Sequence, residues 1–240
     1  MIRATKLSVL EFKKITLEVG LYIGILCAIL ASCAMGWMAV TTEYFGLVNV
    51  FGFFAMIGEL ILIFYGARVL GSEFQYKTST TIFTKGISRT KVVLAKLFCM
   101  GLLGGMLGLV SSIVGLIFQV FLLKESNFLD ALLPFMINIA TYVMIAILIG
   151  SFGILMSILT LGPVASFILT FVAFKVLPNF IGLVAMKLTL IEKIVEYIPF
   201  YTMSEALYRP ITNEAYIGIV GGVILFLGLS ILKINKKDLV

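Results

Sequence analysis

Long apolar stretches separated by short polar segments are the main pattern of this 240-residue chain. A helix that crosses a bilayer needs about 20 mostly apolar residues, and six stretches qualify. The fourth and fifth are separated only by residues 160–163, which predicts a tight hairpin in which Gly162 ends one helix and Pro163 begins the next. The predicted spans cover residues 17–40, 47–70, 92–123, 132–159, 164–177 with some extension, and 215–232.

Two segments outside the spans also have helical patterns. Residues 1–16 place apolar side chains on one side and basic ones on the other. We therefore expect an interfacial helix along the membrane surface, with an extension of the first span as the alternative. Residues 178–214 repeat apolar positions at helical spacing, which predicts an outer amphipathic or re-entrant helix broken at Pro199 and Pro210. A packing lid and an exit gate both fit this outer segment.

Composition places the whole chain in a membrane. Hydrophobic residues make up 61% and charged residues 12%, with a mean hydropathy of +1.17, whereas soluble domains are about half apolar and about a quarter charged. We therefore predict an all-α integral membrane protein in which residues 1–240 form a single transmembrane domain. The net charge of +6 then reflects contact with anionic lipid rather than binding of nucleic acid.

The basic residues predict an orientation. If the N-terminus lies in the cytoplasm, thirteen of the 18 basic residues fall on the cytoplasmic side. This bias predicts a multi-pass membrane protein with both termini in the cytoplasm. Lys175 lies near the outer end of the predicted fifth span, where we expect its ammonium group to reach the lipid headgroups.

Several kinds of chemistry are excluded by residue types. The chain has no histidine, which rules out histidine-based metal sites and Ser-His or Cys-His nucleophile pairs. Its three cysteines lie in apolar runs and give no disulfide framework. Residues 71–78 resemble a phosphate-binding P-loop only in part, because Tyr76 stands where that loop needs glycine. We therefore expect no enzyme activity, metal or cofactor in this chain.

Glu59 is the one acidic residue well inside a predicted span. A carboxylate at that depth is costly unless it is paired or neutral, so Glu59 is a candidate functional residue. One interpretation is that Glu59 is protonated and forms a hydrogen bond to a neighbouring helix. The other is that it forms the ion site of an ion-coupled secondary transporter or channel. A membrane-embedded enzyme is a third class, which the missing catalytic groups disfavour.

The polar, basic segment between the second and third spans is the strongest candidate for contact with a partner. Ser72 is placed to cap a short helix with Glu73 in its first turn. This helix is predicted to run to about Lys85 and to stop at Gly86. A short helix parallel to the membrane within the cytoplasmic loop 71–91 suits docking on a cytoplasmic protein.

This segment resembles the corresponding loop in the permease subunits of type-2 ABC exporters, the ABC-2 family. The family often has glycine where Lys77 stands here, and proline where Gly86 stands. The six-span plan, the N-terminal helix and the outer segment extend the resemblance over the whole chain. The residues that match the family pattern are Glu73, Thr78, Ile87-Ser88-Arg89 and Lys96.

The resemblance implies a half-transporter that pairs with a second copy of itself or with a sibling permease. Two separate ATPase subunits, which use ATP and Mg²⁺, would dock on residues 73–85 and pass their closure to the spans. Small members of this family often move antimicrobial or toxin peptides, so the resemblance also implies an amphipathic, antimicrobial or toxin peptide as cargo, for secretion or self-immunity. The residues implied in ATPase coupling are Glu73, Phe74, Tyr76, Lys77, Thr78, Ile82, Phe83, Lys85 and Arg89.

Overall fold

The computed structural model describes residues 2–42, 45–76, 88–123, 128–187, 194–206 and 212–236. Within these ranges the chain is all-helical, as predicted, and six helices are long and apolar enough to cross a membrane. Each predicted span is confirmed. The candidate spans are Val19–Thr41, Leu47–Gln75, Arg89–Val120, Leu132–Thr160, Pro163–Ala185 and Asn213–Lys236.

We number the α-helices in chain order. A π-helical turn, Val172–Val176, joins the two helices of the fifth span, and a 3₁₀ turn, Val195–Tyr197, lies between the fifth and sixth spans. The α-helices are α1 (Ile2–Thr16), α2 (Val19–Thr41), α3 (Leu47–Gln75), α4 (Arg89–Leu123), α5 (Phe128–Thr160), α6 (Pro163–Phe171), α7 (Leu177–Ala185), α8 (Pro199–Ala206) and α9 (Asn213–Lys236).

Successive spans run in alternate directions, so the helix ends meet on two faces of the bundle. We call one face the N-terminal end: it holds α1, the end of α3, the start of α4, the α5–α6 connection and the end of α9. The opposite face is the far end. The central spans α3, α4 and α5 are half-buried or more, whereas α2, the fifth span and α9 expose most of their apolar surface. A bilayer or a partner subunit would cover that outer surface.

The backbones of α3 and α5 touch at Gly66 and Gly153. A Cβ atom built on Gly153 would lie 2.5 Å from the carbonyl oxygen of Gly66, so no side chain fits there. Near this crossing, Ser157 Oγ donates to the carbonyl of Ala67 at 2.9 Å. Ser166 Oγ of α6 donates to the carbonyl of Gly153 at 3.0 Å. Small residues and hydroxyl groups thus join three spans where the hydrophobic effect cannot.

The hairpin between α5 and α6 reverses at Leu161, and the prediction that Gly162 ends α5 was wrong. Leu161 has a left-handed backbone (φ 56°), and its N–H donates to the carbonyl of Ser157 at 2.9 Å. Gly162 is extended, with φ −158° and ψ 149°, because the residue before a proline is pushed into the extended region. Pro163 begins α6 as predicted. The proline therefore moves the reversal back by one residue.

The predicted outer segment 178–214 is divided differently in the structure. The fifth span continues to Ala185, so the first part of this segment belongs to a membrane helix. Pro199 was predicted to break a helix, but it is the first residue of α8. Proline is tolerated there because an N–H in the first turn of a helix has no partner within that helix. Pro210 and residues 188–193 lie outside the described residues.

The start of α8 lies within the bundle. The ring of Phe200 packs against those of Phe152, Phe174 and Phe226 at centroid distances of 5.1–5.6 Å. Phe152 lies about 12 Å along α5 from Thr160, the last residue of that helix, which is at the N-terminal end of the bundle. The segment between the fifth and sixth spans thus reaches the interior and bridges α5, α9 and the π turn with aromatic contacts.

We expect Gly153→Ala to destabilise the bundle, because the added methyl group meets the backbone of α3. Overpacking of this kind costs about 1–3 kcal/mol, and the thermal unfolding midpoint of the protein in detergent should fall. The matched control is Gly228→Ala in α9, where a Cβ atom meets nothing within 4 Å. Equal midpoints for the two variants would contradict a backbone contact between α3 and α5.

Candidate coupling site and intramembrane ion pair

The N-terminal end contains a buried ion cluster of Glu11, Glu73 and Lys96. Lys96 of α4 is 1% exposed. Its ammonium group contacts the Glu73 carboxylate of α3 and lies 3.5 Å from Glu11 Oε1 of α1. A buried charge that loses its partner costs about 3–5 kcal/mol. The cluster therefore fixes α1, α3 and α4 relative to one another.

Glu73 lies inside α3, and the prediction that Ser72 caps a separate helix was wrong. The helix α3 continues to Gln75, and Ser72 Oγ donates to the carbonyl of Arg68 at 2.9 Å within it. Glu73 is only 6% exposed. Contact with Lys96 makes the continued helix more favourable than the cap that the local sequence offers.

The other predicted coupling residues are described only in part. Phe74 packs against the core, and Tyr76 is 69% exposed just after α3. Arg89 Nη1 donates to the carbonyl of Ile234 at 2.7 Å, which offsets the partial negative charge at the end of α9. The predicted residues outside the described ranges are Lys77, Thr78, Ile82, Phe83 and Lys85.

A second ion pair at the same end joins α2 to α3. Arg68 Nη1 lies 2.6 Å from Glu18 Oε2, and Tyr65 donates its hydroxyl to the same carboxylate oxygen at 3.2 Å. The Arg68 guanidinium also lies over the Phe64 ring, 5.6 Å from its centroid. Glu18 immediately precedes α2. The first span is thereby tied to the second at the N-terminal end.

Sequence reasoning missed Glu11 and Glu18 as parts of this site. Both line a cavity of about 210 Å³ between α1 and α3, whose wall is part polar and part apolar, together with Arg68 and the exposed Tyr76. One signal was present, because Glu11 is the single acidic residue within the basic segment 1–16. A lone carboxylate in such a segment indicates a specific cationic partner.

A larger, mainly apolar cavity of about 490 Å³ lies on the α2 side of α3. The Glu18–Arg68 pair and Tyr65 border it, so it has a polar edge as well as apolar walls. Such a cavity suits a molecule with both apolar and polar parts. Its apolar lining comes from Ile57, Leu60, Ile61 and Phe64.

Glu59 is paired with Lys175 near the middle of the bundle. The Glu59 side chain is 1% exposed, and its carboxylate contacts the ammonium group of Lys175. Lys175 lies about 15 Å along the helix from Ala185. The prediction that its ammonium reaches the headgroups was therefore wrong. The fifth span is longer than the sequence pattern indicated, which places Lys175 at mid-depth.

Pro178 accounts for the π turn that carries Lys175. Proline lacks an N–H, and its ring displaces the carbonyl four residues earlier. The N–H of Leu177 accordingly donates to Val172, five residues earlier, and Asn179 Nδ2 donates to the carbonyl of Lys175 at 2.8 Å. The widened turn absorbs the proline and presents Lys175 to Glu59.

The pairing changes the interpretation of Glu59. Its charge has a counter-charge inside the protein, whereas an ion-coupled transporter needs a carboxylate that is available to a transported ion. Among the described residues, no group of three or more His, Cys, Asp or Glu side chains could hold a metal ion. Glu59 is best described as one half of a structural ion pair between α3 and the fifth span.

We expect Glu59→Leu to destabilise the protein by up to about 3 kcal/mol, because it leaves the half-buried Lys175 ammonium group at mid-depth without its partner. The double variant Glu59→Leu/Lys175→Met should recover most of this loss, since it removes both charges. The yield of folded monomer and the unfolding midpoint in detergent measure both effects. A double variant no more stable than Glu59→Leu would contradict a direct pairing.

Comparison with known proteins agrees with this architecture. A family model described as ABC-2 family transporter protein matches residues 9–177, a range that includes both ion groups at the N-terminal end and the Glu59–Lys175 pair. A comparison with individual curated proteins gives no match. The membrane domain of this family carries no ATPase, and it associates with ABC ATPase subunits. Because the match covers more than half of the chain, this protein belongs to the ABC-2 family and is a multi-pass membrane subunit of an ABC transporter.

Proposed function

We propose that this protein is the permease of an ATP-driven exporter, and that two ATPase subunits act on the N-terminal end of its bundle. The Glu11–Glu73–Lys96 cluster carries the proposal. It flanks the connection between α3 and α4, which begins at Tyr76 and ends at Ser88. A displacement of this connection would act on α3 and α4 together, because separating Glu73 from Lys96 would leave buried charge without its nearest partner. The Lys96–Glu11 contact would carry the movement to α1.

Different residues take different roles in this coupling. Tyr76 is exposed and is a candidate anchor for the ATPase, together with the predicted contact residues between Lys77 and Lys85. Glu73 and Lys96 are positioning residues, since both are buried. Arg89 carries the displacement from α4 to α9 through its bond to Ile234. Closure of the ATPases then shifts the population between two bundle arrangements.

The distribution of charge supports a cytoplasmic location for the N-terminal end. Lysines cluster at the end of α1, near the start of α4 and in the last turn of α9. Such an excess of lysine and arginine is typical of cytoplasmic flanks of membrane helices. Both chain termini would then lie in the cytoplasm of a bacterial cell.

The translocation path is proposed to run along the face of α2, α3 and the fifth span, completed by a second copy or a sibling permease. Lys175 supports this placement, because its side chain is 24% exposed at mid-depth. A cation there is unfavourable against lipid tails and needs water or a partner subunit. The apolar cavity of about 490 Å³ with its Glu18–Arg68 edge lies between α2 and α3, two of the helices of this face.

The proposed cargo is an amphipathic peptide, such as an antimicrobial peptide or toxin exported for secretion or for self-immunity. Apolar peptide side chains would occupy the part of the cavity that Leu60 and Phe64 line, and polar groups would meet the Glu18–Arg68 pair. The mixed character of this cavity supports an amphipathic molecule over a wholly polar one.

We expect Lys96→Met to uncouple ATP hydrolysis from transport. The reconstituted complex should retain its bound ATPase, while transport per ATP falls about tenfold, in the range of typical coupling energies between sites. Lys96→Arg keeps the charge and should retain most of the transport. The measurement pairs ATPase activity with cargo uptake into vesicles.

Lys91→Met is the matched control for this experiment, because Lys91 lies on the same helix but is exposed. It should behave as the wild type. The coupling proposal would fail if Lys96→Met transported normally, or if no ATPase co-purified with the wild-type permease.

We expect Leu60→Trp to abolish the stimulation of ATPase activity by a cationic amphipathic helical peptide, because the larger ring fills the apolar cavity. Basal ATPase activity should not change. Leu109→Trp on α4 provides the control, since Leu109 is also exposed but does not line this cavity. Equal stimulation by a wholly hydrophilic peptide of the same length would argue against the proposed cargo class.

A further inference from the structure

A groove between α5 and α9 lies at the N-terminal end of the bundle. Its volume is about 480 Å³, a size typical of pockets that bind small molecules. Apolar side chains form most of its wall, and two lysines from the last turn of α9 complete it. The lining residues are Ile158, Leu159, Leu229, Leu232, Lys233 and Lys236.

The α9 side of this groove is a single stripe along the helix. Leu232 and Lys233 lie three and four positions after Leu229, and Lys236 lies four and three positions after the same two residues, which places all four on one face. The leucines lie deeper in the membrane, and the lysines lie at the helix end. A phospholipid has the same order, with its acyl chains deep and its phosphate at the surface.

Among the residues that the structure describes, no acidic side chain compensates the positive charge of the two lysines. Within the described part of the chain, neither Lys233 nor Lys236 forms an ion pair with an acidic side chain. The end of α9 carries a partial negative charge, but Arg89 already donates to the carbonyl of Ile234 there. The lysines therefore present a positive site to the occupant of the groove.

We propose that this groove binds an anionic phospholipid, with its phosphate between Lys233 and Lys236 and an acyl chain along Leu229 and Leu232. Basic pockets between membrane helices are known to hold anionic headgroups. The apolar wall favours a lipid over a soluble anion, which would leave that wall in contact with water. The bound lipid fills the space between α5 and α9 at the end where Arg89 joins α9 to α4. This site is independent of the proposed export function.

The experiment uses tryptophan fluorescence and brominated lipids, which quench only a tryptophan that they touch. Trp37 is the single tryptophan of the chain, so Trp37→Phe gives a silent background. Leu232→Trp places a reporter in the groove. Leu94→Trp places a reporter on the exposed side of α4 at a similar depth. The full chain is reconstituted in phosphatidylcholine vesicles that contain increasing fractions of brominated phosphatidylglycerol.

The groove reporter should show a preference of about tenfold for phosphatidylglycerol over phosphatidylcholine, and the reporter on α4 should show little preference. Lys233→Gln/Lys236→Gln should remove the preference, whereas Lys13→Gln/Lys14→Gln should preserve it. With both lysines kept, Leu229→Phe should weaken the quenching because it narrows the groove.

Three results would overturn the proposal. Equal preference at the two reporters would show only general attraction of anionic lipid to a basic surface. A preference that survives the double glutamine variant would show that the lysines do not bind the headgroup. Release of the preference by millimolar inorganic phosphate would show a site for a soluble anion rather than for a lipid.

Discussion

The ammonium group of Lys96 is the constraint on which the N-terminal end of this bundle depends. A cation with 1% exposure is tolerable only with carboxylates in contact, and here they come from two other helices, through Glu73 and Glu11. The pairing extends α3 beyond the apolar run that defines the second span, and it holds the amphipathic α1 against the bundle. An electrostatic requirement thus acts together with apolar packing in the region closest to the proposed ATPase contact.

The Lys96 cluster and the Glu59–Lys175 pair differ in depth and in the number of carboxylates. The cluster at the N-terminal end has two carboxylates, of which only Glu11 borders the cavity between α1 and α3, while Glu73 and Lys96 are buried. The Glu59–Lys175 pair has one carboxylate and lies at mid-depth, where any displacement exposes charge to a low dielectric. Separation of the helices is therefore resisted by buried charge both at the N-terminal end and at the centre. The first contact holds α3 against α4, and the second holds α3 against the fifth span.

The sequence predicted the spans well because a helix that crosses a bilayer needs a long apolar run, whichever helices are its neighbours. It could not predict features that depend on neighbouring helices. Ser72 and Glu73 have the local signature of a helix start, and only Lys96, on another span, explains why α3 continues through them. Lys175 looked terminal because the predicted fifth span ended just before Pro178, whereas a π turn absorbs this proline and the helix continues to Ala185. The chain reverses at Leu161 because Pro163 keeps Gly162 extended. This effect of proline on the preceding residue is local, but the prediction considered only the conformational freedom of glycine.

The π turn at Val172–Val176 also sets the angular phase of the fifth span. One added residue in a helix shifts everything after it by about 100° around the axis. The face that α7 turns toward α8 therefore differs from the face that an uninterrupted α-helix would present there. Deleting a single residue from this turn would leave the hydropathy and length of the span almost unchanged. It would nevertheless turn one half of the helix away from its neighbours, so this span tolerates substitutions in its apolar surface far better than changes in its length.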